Sequence, residues 1–338
     1  MERKIISLGR SSLVISLPKH WVKLNELKQG DVVSLAVQRD RSLVVFPSAK
    51  KREESKEIIL HVDSDEKEPL IVRRIIGCYL SGYSSIKVLS KKIFSVPQRK
   101  AIRDIVRMLY MRIMESNSKS MHIQTLIDET KASLELAIQR MHLISHSMCR
   151  DALNSLKNRD AMLAKAVLSL DDDVDHFSFF LLRLLRDAAQ DSVLANQLDI
   201  DPLDCMDYQT LVYRVEHAAD HSANIAKQLI MLDGSRQKTP DQLRKLLFTA
   251  GTEAVNLYDK ALTAFFSTNV TGSVEIIEQE KKIEKLDREI ASKTFMTKQK
   301  NALIVCTICS IRGSIRGIAE CAVDIAEIAI NRAYKVTI

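Results

Sequence analysis

Apolar and polar positions follow two different periods along this chain. From about residue 129 onward, apolar residues recur with the 3.6-residue period of a helix, and only Pro202 and Pro240 interrupt the pattern. Before that point, short apolar runs typical of strands alternate with shorter helical segments. The chain is therefore predicted to be multidomain and mainly α, with its strands in the first third.

Six long helices are predicted in the C-terminal part, and the polar segment DGSRQKTP divides them three and three. Helices of about 30 residues joined by short connections are typical of antiparallel bundles. The predicted helices are 129–158, 160–190, 204–233, 239–269, 272–297 and 299–334. We therefore predict a pair of three-helix bundles, over residues 129–235 and 239–335.

The first 48 residues predict strands around one short helix. Leu13, Ile15 and Leu17 alternate with Ser and Val, as in a half-buried strand, and the helix KHWVKLN follows a proline. Two further apolar runs, 32–37 and 43–46, predict a hairpin. The charged segment SAKKREESK then separates this domain, residues 1–48, from the next one.

Residues 55–128 alternate between strand and helix patterns. Strands are predicted over EIILHV, SSIKVL and SMHIQTLI, and helices over 69–80 and 97–114. This alternation predicts a small α/β domain packed beside the others. The second helix has a basic face, for which a solvated surface is the interpretation we favour over nucleic-acid contact; its residues are Arg99, Lys100, Arg103, Arg107 and Arg112.

The composition, 46% hydrophobic and 28% charged, is that of a soluble globular protein. No run approaches the roughly 18 to 20 apolar residues that a membrane span needs. The segment MERKIISLGR carries charges where a secretory signal has apolar residues, and the six cysteines lack the spacing of a disulfide framework. A cytoplasmic protein without membrane insertion is therefore predicted.

The positive charge is concentrated near the start of the chain. Residues 1–53 contain eleven Lys and Arg against five acids, which is +6 of the total net charge of +7. A local excess of this size indicates a surface that binds a polyanion such as nucleic acid.

Oxygen-bearing side chains four residues apart occur at matching points of the two predicted bundles. Residues at this spacing lie on one face of a helix, roughly 6 Å apart. The pairs are Asp171/Asp175, Asp220/Asn224, Glu280/Glu284 and Glu320/Asp324. Carboxylate and amide oxygens suit hard cations such as Mg²⁺, Mn²⁺ or iron, so the repeat predicts metal sites. The alternative interpretation is solvated acidic helix faces.

Other motifs change the prediction little. His142 and His146 are four residues apart but have no acid at a useful spacing, and Gly313 with Gly317 indicates close helix packing. No phosphate-binding glycine loop, nucleophile elbow or catalytic triad signature is found, so we do not predict an enzyme.

Residues 129–335 resemble the PhoU family of phosphate-uptake regulators. That family has two three-helix bundles, each with an E/D-x-x-x-D motif on its second helix and a stretch like ERIGDHAxNIAE on its third. DDDVD and EKKIE match the first motif, and VEHAADHSANIAK closely matches the second. In the other copy, IRGIAECAVDIAE, Arg316 and Cys321 stand where the first repeat has Glu216 and His221.

The resemblance implies metal ions, such as iron, manganese, magnesium or zinc, at carboxylate sites of both repeats. The residues that would hold them are Asp171, Asp175, Glu216, Asp220 and Asn224 in the first repeat, and Glu280, Glu284, Glu320 and Asp324 in the second.

The N-terminal 48 residues resemble an AbrB/SpoVT (MazE-like) DNA-binding domain through LGRSSLVISLPKHWVKLNELKQGDVV and SLVVFP. The resemblance implies a swapped-hairpin β-barrel built from two chains. It also implies DNA contacts by basic residues, here Lys4, Arg10, Lys19 and Lys23. PhoU proteins with such a domain resemble the archaeal versions of the regulator, so an archaeal source is expected.

Together these features predict a homodimeric, cytoplasmic regulator of phosphate uptake that binds duplex DNA and senses through its metal-binding bundles. A different class of function stays open, in which the barrel only dimerises and the protein is an adaptor docking on the phosphate transporter ATPase or a histidine kinase. A metal-dependent enzyme is the alternative we favour least.

Overall fold

A computed structural model describes residues 2–9, 12–37, 42–47, 56–125, 133–296 and 301–335. Of these residues, 68% are helical. The chain divides into two compact units, Met1–Ser55 and Lys56–Thr337. The division falls at the end of the charged segment that was predicted to separate the first domain from the second.

The N-terminal unit consists of two separate antiparallel strand pairs with a short helix between them. Its elements are β1 (Ile6–Leu8), β2 (Ser12–Val14), α1 (Lys19–Leu24), β3 (Val33–Val37) and β4 (Leu43–Pro47). β1 pairs with β2, and β3 pairs with β4. The predicted hairpin over 32–37 and 43–46 is confirmed, whereas the strand predicted from the alternating residues 13 to 17 ends at Val14.

No described side chain of this unit is buried within a single chain. Leu13, which alternation predicted to be on a half-buried face, is 73% exposed, and Leu35 on β3 is 60% exposed. A two-stranded pair is marginally stable by itself, and the described residues of this unit leave these apolar faces uncovered. The two described strand pairs do not join into one sheet.

The following segment forms one four-stranded sheet with two helices. The elements are β5 (Glu57–His61), α2 (Glu68–Leu80), β6 (Ser85–Leu89), α3 (Val96–Met108), β7 (Met111–Ser116) and β8 (Ser120–Thr125). The strand order is β5-β6-β8-β7, with β5 and β6 parallel and the other pairs antiparallel. Ile75, Tyr79, Ile86 and Ile123 are fully buried in its core, as expected for an α/β layer.

The helix predicted over 97–114 is wrong at its C-terminal end. α3 stops at Met108, because Tyr110 adopts a positive φ of 51° and turns the chain into β7. The sequence MRIMES then pairs with β8 instead of continuing the helix. Arg112 consequently lies on a strand and is not part of the predicted basic helix face.

The rest of the chain forms two three-helix bundles, as predicted. The first contains α4 (Leu134–Asn158), α5 (Ala161–Ala188) and α7 (Pro202–Gly234); the second contains α8 (Asp241–Ser267), α9 (Val270–Met296) and α10 (Ala302–Ala333). A short helix, α6 (Ser192–Gln197), was not predicted and lies in the longer connection of the first repeat. Asp160 and Asp201 cap the N-termini of α5 and α7 with their side chains.

The two bundles share one hydrophobic core. α7 packs against α10 and α4 against α8, so each repeat buries part of its apolar surface on the other. Gly317 allows this approach, because a Cβ at that position would collide with the His221 ring of α7. Gly313 faces open space. The prediction of close packing at the GxxxG motif is therefore confirmed at Gly317 and not at Gly313.

The four-stranded sheet domain is attached to the first bundle through α5. The Arg183 guanidinium is buried and donates hydrogen bonds to the carbonyls of Tyr79 and Tyr83, both at 2.8 Å. Arg186 donates to the Leu80 carbonyl at 2.7 Å. The Tyr79 and Leu80 carbonyls lie in the last turn of α2, where helix C=O groups lack intrahelical partners, and Tyr83 follows the helix.

Among the described residues, α10 is the one helix with the length and apolar composition that could cross a membrane. Half of its most apolar window is buried inside the fold, where it packs against α7, α8 and α9. The core helix of a bundle meets the same criterion, so this property adds only weak support for a membrane span.

Candidate metal centre

The first bundle brings four carboxylates of α5 and α7 together. Asp171 and Asp175 lie one turn apart on α5, and Glu216 and Asp220 lie one turn apart on the facing helix α7. Asp171, Asp175 and Glu216 are half-buried, and Asp220 is exposed. The predicted residues of the two helices therefore share one face of the α5–α7 contact.

Burial and mutual repulsion shift the titration of this cluster. Burial, together with the charges of Asp171 and Asp220, raises the pKa of Asp175 to about 6. Burial and the charges of Asp220, Asp175 and Asp171 raise the pKa of Glu216 to about 7. Asp171, Asp175 and Asp220 therefore lie close enough to Glu216 to oppose its ionisation.

Little positive charge compensates these carboxylates. Burial and Asp220 raise the pKa of Asp171, and among the described residues Lys227 alone opposes that shift. Within the described ranges, none of the four carboxylates forms an ion pair with Lys or Arg; Glu216 has His217 at 3.6 Å. A cluster of hard oxygen donors with uncompensated negative charge fits a divalent or trivalent cation.

The side chains of these four acids are not arranged as a coordination sphere in the structure. Within the described part of the chain, no three His, Cys, Asp or Glu side chains are arranged so that they could hold a metal ion as they stand. The cluster has the donor chemistry of a metal site, and rotation of its side chains would be needed to bring the oxygens to one point.

Asn224, the fifth residue predicted for this site, is oriented toward the other repeat. Its side-chain amide donates hydrogen bonds to Ser310 at 3.0 Å and to Ser314 at 2.8 Å, both on α10. The structure thus brings four of the five predicted residues together and places Asn224 at the contact between the bundles.

In the second bundle the corresponding acids lie on α9 and α10, but arginines accompany them. Arg316 lies 3.0 Å from Glu320, and Arg288 lies 3.5 Å from Glu284. Burial and Glu284 raise the pKa of Glu280, whereas Arg316 lowers it.

Two further arginines reach this region. The Nε atom of Arg214, on α7 of the first repeat, lies 2.8 Å from Asp324, and Arg312 lies 2.8 Å from Asp287. The sequence did not single out Arg214, since only the fold brings it to a residue 110 positions later in the chain.

The structure also supplies an acid for the two histidines. Asp259 of α8 lies 3.2 Å from Nε2 of His142 and 4.0 Å from Nδ1 of His146. Burial lowers the pKa of His142, although Asp259 opposes that shift. Sequence spacing could not reveal this acid, because Asp259 lies on another helix and only packing brings it to His142.

Three of the four predicted DNA-contacting residues lie on the surface of the N-terminal unit. Lys4 precedes β1, and Lys19 and Lys23 occupy successive turns of α1; all three are exposed. Arg10 lies outside the described residues. Lys19 and Lys23 are both on α1, and no described acid forms an ion pair with either.

Comparison with known proteins identifies the helical part. The PhoU domain family matches residues 138–229 and 249–329, which together make up just over half of the chain. The chain belongs to the PhoU family. The two matched segments coincide with the two bundles, and residues 6–55 match a second family, the antidote-toxin recognition domain MazE of bacterial antitoxins.

Two solved structures have the same fold in their helical part. PhoU from Pseudomonas aeruginosa is 19% identical, with a TM-score of 0.52 over 58% of this chain and 93% of that protein. The phosphate transport system regulatory protein PhoU from Streptococcus pneumoniae is 18% identical, with a TM-score of 0.50 over 61% and 95%. No curated protein matches this chain. The archaeal source stays a prediction.

Proposed function

We propose that this PhoU-family protein is a cytoplasmic, homodimeric regulator of phosphate uptake. In this proposal, the N-terminal unit binds duplex DNA and the first helical repeat binds a metal ion. PhoU proteins are regulators of phosphate transport, and we assign no catalytic activity to this chain. The observation that carries the proposal is the union of a PhoU fold with a basic, MazE-like unit in one chain.

Dimerisation is supported by the apolar surface of the N-terminal unit. Ile6, Leu8, Leu13 and Leu35 are all more than half exposed in one chain, although they lie on its strands. Each such side chain gains about 1.5 to 3 kcal/mol when it is fully buried. A second copy that interleaved its hairpins with the first would supply the missing layer.

DNA binding is supported by the charge of the same unit. Lys19 and Lys23 are exposed on one face of α1, and the first 53 residues carry a net charge of +6. Lysine contacts to phosphates release counterions, so affinity for duplex DNA falls steeply with salt. We expect phosphate contacts to provide most of the affinity and a few base contacts to provide the specificity.

The test is a salt titration of duplex DNA binding by the intact protein and by Lys19→Gln/Lys23→Gln. The double variant is expected to bind about tenfold or more weakly and to show a shallower dependence on log salt, by roughly one for each lost phosphate contact. Lys245→Gln/Lys260→Gln, at exposed lysines of α8, is the control with the same loss of charge. Equal affinities and slopes for all three proteins would show that the N-terminal unit does not bind DNA.

Metal binding at the first repeat is supported by its uncompensated carboxylates. Asp171, Asp175, Glu216 and Asp220 would hold the ion, whose charge would relieve the repulsion that raises the pKa values of Asp175 and Glu216. Oxygen donors alone do not fix which metal the site prefers, so the content of iron, manganese, magnesium and zinc in the protein should be measured.

The test is elemental analysis of the purified protein and titration with Mn²⁺. Asp171→Asn/Asp175→Asn is expected to lose at least tenfold in affinity, because each change removes a charged ligand while keeping the side-chain shape. Asp172→Asn/Asp173→Asn is the matched control, since both residues are exposed on the same helix. Equal metal content in the two variants would rule out this site.

A second candidate function is that of an adaptor that docks on the ATPase subunit of a phosphate transporter or on a histidine kinase. The observation in its favour is that both similar structures are PhoU proteins, one described as a phosphate transport system regulatory protein. Binding of the purified ATPase subunit by a protein that has no salt-sensitive affinity for duplex DNA would favour the adaptor.

A further inference from the structure

The two repeats differ in what accompanies their carboxylates. In the first repeat, Lys227 is the only Lys or Arg among the described residues that lowers the pKa of Asp171, and it forms no ion pair there. In the second repeat, four ion pairs join acids to arginines; they are Glu284–Arg288, Asp287–Arg312, Glu320–Arg316 and Asp324–Arg214. Similar acidic motifs therefore have opposite electrostatic surroundings.

Arg316 makes the sharpest difference. It occupies the position that Glu216 has in the first repeat, since the third-helix motifs lie 100 residues apart. The exchange removes one carboxylate and adds one guanidinium, a difference of two charges. Arg316 pairs with Glu320 at 3.0 Å and also lowers the pKa of Glu280 on α9. An arginine thus stands among the second-repeat acids where the first repeat has another acid.

The contact between α7 and α10 shows the same change. Arg214 pairs with Asp324 at 2.8 Å. At the positions 100 residues away, Ser314 accepts a neutral hydrogen bond from Asn224, also at 2.8 Å. The two contacts are related by the repeat, yet only the one that includes Asp324 carries opposite charges.

The α9–α10 contact is a third place where the second repeat has an ion pair and the first repeat has uncharged residues. Arg312 lies 2.8 Å from Asp287, and both side chains are largely buried, at 26% and 14% exposed. The corresponding positions of the first repeat are Val212 and Ser178, which are uncharged and buried. The pair therefore has no counterpart in the first repeat.

We infer that the second repeat holds no metal ion and that its arginines take the place of the cation. Four guanidinium groups face five carboxylates, so about one net negative charge is left when all groups are ionised. A metal ion would have to break these ion pairs and would be repelled by the remaining arginines. The chain then binds metal in one of two related positions, an inference that rests on the metal site proposed for the first repeat.

The consequence is a division of roles between the repeats. The first-repeat cluster changes its charge when metal binds, whereas most of the charge of the second is compensated permanently by the chain's own arginines. Arg214 belongs to the first repeat and Asp324 to the second, so the permanent pair also holds the two bundles together.

The first experiment compares Mn²⁺ binding by equilibrium dialysis in three proteins. Glu280→Gln/Glu284→Gln is expected to bind as much Mn²⁺ as the wild type, within twofold, whereas Asp171→Asn/Asp175→Asn is expected to lose at least tenfold in affinity. A loss of Mn²⁺ in the Glu280→Gln/Glu284→Gln protein comparable to that in the Asp171→Asn/Asp175→Asn protein would overturn the inference.

A gain-of-binding variant sharpens the test. Arg316→Glu restores the acid of the first repeat, and we expect it to bind additional Mn²⁺ that is lost again when Glu280→Gln/Glu284→Gln is added. Arg316→Gln is the control, because it removes the arginine without supplying a ligand. Additional Mn²⁺ that persists after Glu280→Gln/Glu284→Gln is added would contradict the inference.

A readout without metal separates this inference from the proposed function. In EDTA, Arg312→Gln is expected to lower Tm by about 3 °C or more, since it leaves Asp287 unpaired in a largely buried position. Arg288→Gln, whose partner is exposed, is the control and is expected to shift Tm by less than 1 °C or so. If the wild type binds no Mn²⁺, the metal site proposed for the first repeat is wrong. If instead the Tm of Arg312→Gln is unchanged, the inference that arginines take the place of the cation in the second repeat is overturned.

Discussion

The N-terminal unit and the helical bundles place their apolar residues in opposite ways. In the bundles, apolar positions at helical spacing are buried in a core shared by both repeats. In the N-terminal unit, apolar positions at strand spacing lie exposed in a single chain. The comparison teaches that the same kind of pattern produces an independent core only where the chain itself supplies a second layer.

The largest expected effect concerns the exposed strands of the N-terminal unit. Leu13→Ser/Leu35→Ser should leave the folded chain intact but raise the Kd of the dimer by about a thousandfold, since up to four leucines lose their burial in each dimer. Sedimentation across a range of concentrations measures this change. Leu143→Ser, at an equally exposed leucine of α4, is the control. A dimer of unchanged affinity would mean that these strands are not the interface.

Within the bundles, the sharpest test lies at the α7–α10 crossing. Gly317→Leu should destabilise the protein by about 2 kcal/mol, because the new side chain must displace His221. Gly313→Leu occupies open space and should be neutral or slightly stabilising, through its better helix propensity. Denaturant unfolding measures both free energies, and equal values would contradict the close approach at Gly317.

The attachment of the sheet domain to the first bundle should depend on Arg183. Arg183→Met is expected to cost about 2 kcal/mol, because the carbonyls of Tyr79 and Tyr83 each lose a hydrogen bond from the buried guanidinium. Hydrogen exchange should increase at the end of α2 and leave the core of α10 unchanged. Arg186→Met, whose bond to Leu80 is exposed, is expected to have a smaller effect.

The smallest expected effect is a gain of stability in the metal-free protein. Asp175→Asn should raise the free energy of unfolding at pH 7.5 by about 1 kcal/mol, a value reduced to allow for the solvent screening of a half-exposed carboxylate. Asp173→Asn, at an exposed site on the same helix, is the control. Thermal unfolding in EDTA measures the difference.

The same carboxylates predict the pH dependence. The folded-state pKa values of Asp175 and Glu216, about 6 and about 7, exceed the ordinary values of 3.8 and 4.5. The folded protein therefore holds these protons more tightly than the unfolded chain, and their contribution to stability decreases as pH rises from about 4 to 7. Asp175→Asn should flatten this part of the profile, and an unchanged slope would contradict the coupling.

Much of the bundle architecture could be predicted from the sequence, because helices depend on local spacing. The boundaries of the long helices, the three-and-three division and the pairing of Asp171 with Asp175 follow from residues three to four positions apart. The end of α3 was missed since nothing local in RMLYMRIMES excludes a longer helix. The helix ends there because the residues that follow form β7, which pairs with β8.

The sequence by itself determined the repeat and the carboxylate pairs on each helix. Only the tertiary structure decided which charges meet across helices: Arg214 with Asp324, and Asp259 with His142. The physical reason is range. An i,i+4 pair is fixed by the geometry of one helix, whereas an ion pair between residues more than a hundred positions apart exists only when packing brings two helices together. For the N-terminal strands, even one folded chain does not provide the layer that would bury them.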